Sequence, residues 1–174
     1  MNTTLVISKR TLLADAGLMA LVCLVPTFSH LLSFPLYHLD PMRMMLFAAM
    51  LLAAKNGKEG LLQNGLLFAI AMPLVACAFA GMPSLLKALI IVAELVTNVV
   101  LFCSLSKAGS KASTFVALLL STLLAKGLYY GLKAAAISAG LLTGSVLGTT
   151  LLLQAAVVVT LAALFTIIYT RLVK

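Results

Sequence analysis

Long apolar runs, broken only by short stretches of charge, glycine and proline, constrain this chain more than any other feature. Six can be marked off, at about 11–32, 41–54, 60–80, 84–105, 112–136 and 145–170. Five have the twenty or so residues that an α-helix needs to cross the ~30 Å hydrocarbon core of a bilayer. The second, PMRMMLFAAMLLAA, is shorter and rises only about 21 Å as a helix. Composition points the same way: 63% of the 174 residues are hydrophobic and 9% are charged, against about 25% charged in a soluble domain. With a mean hydropathy of +1.20, the solvent for most of this surface has to be lipid. The chain is expected to be all-α, a single integral membrane domain over 1–174 with six transmembrane helices. No room is left for a separate soluble domain. No Gly-rich loop ending in Lys-Ser/Thr is present to cradle phosphates, so an intrinsic nucleotide-driven motor is excluded.

Between the first two runs lies SFPLYHLDP, which is expected to enter the membrane region as ordered loop ahead of the short second helix. Non-helical backbone at that depth is tolerated only against protein or a water-filled cavity, so a pocket is expected beside residues 33–43. The cations then set the topology. One side collects Lys9, Arg10, Lys55, Lys58, Lys107, Lys111, Arg171 and Lys174, the other only Arg43, Lys87 and Lys133, with Lys126 inside a span. Both termini are therefore expected in the cytoplasm, the protein lying in a prokaryotic plasma membrane. The net charge of +8 is scattered singly or in pairs without interleaved aromatics, so no nucleic-acid partner is expected. The first apolar stretch lacks a cleavage site of signal-peptide type.

Ionisable residues inside spans are expensive and are candidates for function. Glu94 lies near the middle of the fourth span, with Asn98 one turn inward and Lys87 two turns outward on the same helical face. In the fifth span Lys126 shares a face with Tyr130 and Lys133, and Tyr129 adjoins it. Gln154 lies in the sixth. The first loop and its exit add Tyr37, His38, Asp40 and Arg43. Counted from the outer ends, these residues fall in the outer half of the membrane, as a binding cavity open to the outside requires. Their bland roles are a buried Glu94–Lys126 pair, cations snorkelling to headgroups and an interfacial anchor at Arg43.

Catalytic constellations are missing. There is no Gly-x-Ser-x-Gly, no His-Glu-x-x-His and no Cys-x-x-Cys, and the four carboxylates Asp15, Asp40, Glu59 and Glu94 are not spaced for acid–base work. Cys23, Cys77 and Cys103 are dispersed within apolar runs and read as packing residues, as does the Met42, Met44, Met45, Met50 cluster. His30 and His38 lack a readable carboxylate partner. Neither an enzyme nor a metal or cofactor site is expected. In the first span Ala16 and Ala20 flatten one stripe, where another helix can approach closely; ordinary packing within the bundle would use the same stripe.

Taken together, these features resemble the membrane-embedded substrate-binding (S) components of energy-coupling-factor vitamin importers, across essentially the whole chain. The resemblance rests on six spans with cytoplasmic termini, Ala16-x-x-x-Ala20 in the first helix, and SFPLYHLDPMRMML leading through a proline into a short second helix. It is completed by NGKEGLLQNG, with Gly57, Gly60 and Gly65, and by the Glu-bearing LIIVAELVTNVVLF. It implies a bundle that captures a vitamin or precursor near the outer face. The alanines would dock on a transmembrane coupling subunit driven by two cytoplasmic ATPases. Asn2 disfavours the metal-importing branch. The substrate-binding set would be Tyr37, His38, Asp40, Arg43, Lys87, Glu94, Asn98, Lys126, Tyr130 and Gln154. Its surplus of cations favours an anionic or zwitterionic small molecule. A small proton-coupled secondary transporter with Glu94 as relay, and an accessory subunit of a larger complex, remain as alternatives.

Overall fold

The computed structural model describes residues 7–31, 39–81, 83–106, 110–146 and 151–172. Six α-helices account for nearly all of them: α1 (Lys9–Leu31), α2 (Pro41–Ala53), α3 (Gly57–Ala80), α4 (Leu85–Leu105), α5 (Lys111–Ser138) and α6 (Leu151–Leu172). The described residues contain no strand. By length and hydropathy five stretches could cross a membrane: α1, the continuous 40 residues of α2 plus α3, α4, α5 and α6. The apolar runs of the sequence thus become helices with ends displaced by a few residues. The largest displacement is in the last, which starts at Leu151 rather than near 145.

Within the 40-residue stretch the chain reverses. A single 3-10 turn (Ala54–Asn56) is followed by Gly57 at φ 75°, a left-handed conformation that favours a residue without Cβ. Asn64 then donates to the Ala49 carbonyl at 2.8 Å, and Gly65 faces Met50. Residues 49 and 50 opposite 64 and 65 mean that α2 and α3 lie antiparallel. Alone, the 13 residues of α2 rise about 20 Å, too little to span. It is the inner arm of a hairpin.

Further pairs carry the same up-and-down register around the bundle. Gly65 lies against Val99: a Cβ added to this glycine would come within 2.9 Å of Val99 Cγ1, so α3 and α4 approach closely because this residue has no side chain. Asn98 meets Ser121 and Thr122 on α5, and Tyr130 meets Gln154 on α6. Helix α6 returns onto α2 and α4 through rings: Phe165 lies 5.3 Å from Phe47 and 5.4 Å from Phe102, and Tyr169 stacks on Phe165 at 5.5 Å. Contacts of α2 with α1, α3 and α6 leave it in the middle, with Leu46, Ala49, Met50 and Ala53 wholly buried.

Packing therefore divides the bundle along its axis. The half nearest the basic end, where Lys9, Lys55, Lys58 and Lys111 lie, is filled by the aromatic knot and by Leu61, Phe68, Leu95 and Leu118. The outside is apolar as well: Leu13 is 76% and Phe79 83% exposed. Apolar surface of this extent is consistent with a multi-pass membrane protein. Three of the buried or half-buried ionisable residues, Arg43, Glu94 and Lys126, lie in the other half.

Candidate functional site

Four charges meet where α2 begins. Pro41 occupies the first turn of α2, where its missing N–H costs nothing. Asp40 precedes it at φ 52°, the one non-glycine residue with positive φ among the described residues. From there its carbonyl accepts from the Arg43 and Met44 amides at 3.0 and 3.1 Å. Its side chain makes no cap hydrogen bond. It turns instead to Arg43 Nη1 (3.6 Å) and Lys126 Nζ (3.0 Å). Arg43, wholly buried, donates through Nη2 to Glu94 Oε1, and the same oxygen lies 3.0 Å from Lys126 Nζ.

The helix registers explain why these four meet. Continuing the antiparallel α2–α3 pairing from Met50 and Gly65 puts Arg43 level with residue 72. The Gly65–Val99 contact then carries that level to residue 92, within one turn of Glu94, and the Asn98–Thr122 pair sets Glu94 level with Lys126. Glu94 lies nine residues into α4 from Leu85, about 14 Å. Helix α2 begins at that depth, so its charged first turn is held inside the bundle. An ion in such surroundings is tolerated only when paired. Here two cations neutralise two anions.

The guanidinium is nevertheless not saturated. Among the described residues, Arg43 Nε and Nη1 are buried with no hydrogen-bond acceptor. Buried donors left without acceptors are rare; of these two, Nη1 lies toward Asp40, beyond hydrogen-bond reach at 3.6 Å. Burial works to raise the Asp40 carboxyl, but Arg43 and Lys126 beside it hold it below the usual carboxylate value. Lys126 Nζ also lies 5.2 Å from the centre of the Tyr129 ring, which is set edge-on to Tyr130. Tyr130 and Gln154 hydrogen-bond at 3.2 Å across α5 and α6.

Not every residue of the expected set joins this cluster. Asp40, Arg43, Glu94 and Lys126 do. Asn98, wholly buried, donates to Thr122 at 3.3 Å and accepts from Ser121 at 3.1 Å, which spends its amide on joining α4 to α5. Lys87 is exposed in the first turn of α4, and Lys133 donates to the Val146 carbonyl at 3.3 Å. The cation surplus read from the sequence therefore lies outside the cluster. Tyr37 and His38, with most of SFPLYHLDP and the pocket expected beside it, lie outside the described residues, as does the His30 side chain. Ala16 and Ala20 are exposed on α1, where an added Cβ at the neighbouring Gly17 would meet nothing. The stripe thus faces away from the bundle. Met50 is core, Met42 and Met45 pack against it, and Met44 borders an apolar cleft of about 340 Å³ between the start of α2 and α6. Cys23, Cys77 and Cys103 are free thiols.

One polar pair had no reading beyond a count of carboxylates. Asp15 on α1 is 2% exposed and accepts from Asn64 Nδ2 at 3.4 Å. Its position four residues before Met19 and seven before Val22, both packed on the core, was the available signal that it faces inward. Compared with family models, curated proteins and solved structures, the chain matches none.

Proposed function

We propose that this chain is the substrate-capture membrane subunit of an importer of the energy-coupling-factor type. Six helical segments lie in a prokaryotic plasma membrane, both termini are cytoplasmic, and transport is driven by a coupling subunit with two ATPases. The observation that carries the reading is Arg43. A wholly buried guanidinium, placed between two carboxylates and a lysine, keeps two donors without acceptors among the described residues. A carboxylate-bearing, vitamin-like molecule would supply those acceptors, and as a zwitterion it would leave the charge balance of the cluster intact. The exposed Ala16–Ala20 stripe supports a docking role for α1. The basic residues at one end of the bundle support cytoplasmic termini.

The test begins with the purified full chain and mass spectrometry of small molecules that accompany it. For the molecule found, titration calorimetry should give an affinity that Arg43→Lys weakens about ten- to a hundredfold, the equivalent of one charged hydrogen bond. Ala16→Trp should abolish co-purification with the coupling subunit and uptake, while binding by the isolated chain persists. Uptake by the chain alone in liposomes, driven by a proton gradient, would sink the reading in favour of a secondary transporter.

A further inference from the structure

The second buried polar group of the bundle lies apart from the charge cluster, near the basic end, and is unbalanced. Asp15 Oδ1 accepts from Asn64 Nδ2, whose other bond, to the Ala49 carbonyl, fixes which side of the amide carries nitrogen. This leaves Asp15 Oδ2 and Asn64 Oδ1 both buried and both without a hydrogen-bond partner among the described residues. Two acceptors remain and no donor. Nor is there, among the described residues, a cation for an ionised carboxylate. The charged groups on the elements packed here are Lys9 and Arg10 on α1, Lys55 on the 3-10 turn, and Lys58 and Glu59 on α3. All five are exposed and none pairs with Asp15. The arginine of α2, Arg43, is committed to Glu94 and Asp40.

We propose that Asp15 and Asn64 form a proton-binding site that joins α1 to the α2–α3 hairpin. A proton taken from water onto Asp15 Oδ2 is donated to Asn64 Oδ1. With the Nδ2–Oδ1 bond already present, it closes the ring in which a carboxylic acid and a primary amide each donate once and accept once. One proton thus satisfies both orphaned oxygens and removes a buried unpaired charge. Loss of that proton would leave an anion facing an amide oxygen across the α1–α3 seam. Hold of the bundle on α1, whose outer face carries Ala16 and Ala20, is therefore linked to proton binding. The site does not depend on the transport reading.

Infrared spectra of the full chain in nanodiscs test it directly. The signature of the site is a carboxylic-acid carbonyl band at neutral pH that belongs to Asp15. That band should shift in deuterated water and vanish in Asp15→Asn. Its absence from the unsubstituted protein at neutral pH would overturn the proposal whether or not any variant folds. Melting curves supply the second arm. A proton held by the fold and released on unfolding makes stability fall as pH rises. The melting temperature should decline from mildly acidic to alkaline pH, and Asp15→Asn, which keeps a donor toward Asn64, should abolish that decline. The same decline in Asp15→Asn would overturn the assignment. So would stabilisation at alkaline pH by sodium chloride but not choline chloride, because a sodium ion would then occupy the site.

Discussion

Arg43 is the residue on which the polar half of the bundle turns. It has no exposure to solvent or lipid, so the anions around it decide whether it is tolerated there. Removing one partner of a buried pair costs about 3–5 kcal/mol, because the other charge is left uncompensated. Glu94→Gln should therefore lower the melting temperature in detergent strongly. Lys126→Gln should lower it less, since Lys126 retains 21% exposure and water screens its loss. Equal losses would show that the two carry similar weight. Asp40 adds a pH dependence whose sign follows from its surroundings. Its carboxyl titrates below the ordinary 3.8, so its contribution is complete above that value and disappears as pH falls through the lower folded value. Acid melting curves should steepen below about pH 4. Asp40→Asn should flatten that limb.

At the scale of elements, helix α2 is where the short apolar run finds its explanation. A helix too short to span is held by a neighbour that is long enough, and α3 receives it through residues chosen for size and polarity. Gly65 lets Val99 and Met50 approach together, and Asn64 ties the Ala49 carbonyl. Gly65→Ala forces a Cβ against Val99 and should cost about 1–3 kcal/mol by overpacking. Val99→Ala in the same chain should recover part of that loss in a thermal melt. Additive losses in the double variant would mean that the two helices do not press on one another here. The NGKEGLLQNG segment was legible beforehand as a glycine-rich helix entry. Which glycine serves the turn and which the close approach was not, because spacing along one helix does not reveal what the next helix presents.

The whole molecule is a bundle with an apolar exterior, an aromatic half and a charged half, and the orientation proposed for it rests on where the cations lie. In a cysteine-free background, Lys58→Cys should be protected from an impermeant thiol reagent added to intact cells, and Gly140→Cys should react. Both positions are exposed and belong to opposite ends of the bundle. The reverse pattern would invert the topology and place the Arg43 cluster toward the cytoplasm.

The sequence by itself determined that the chain is helical and meant for lipid, and where its helices lie. These properties follow from local hydropathy and backbone hydrogen bonding, which each segment satisfies on its own. It also marked Asp40, Arg43, Glu94 and Lys126, since a charge inside an apolar run or at its edge stands out without knowledge of its neighbours. Only the tertiary structure decided that these four form one neutral cluster while Lys87 stands outside it. Only there does Asn98 become a link between helices, and Asp15 a partner of Asn64. Each of those outcomes depends on helix register and rotation, which are set by contacts between residues 15 to 51 positions apart. Where one helix face meets another is a property of packing, and no periodicity within a single run contains it.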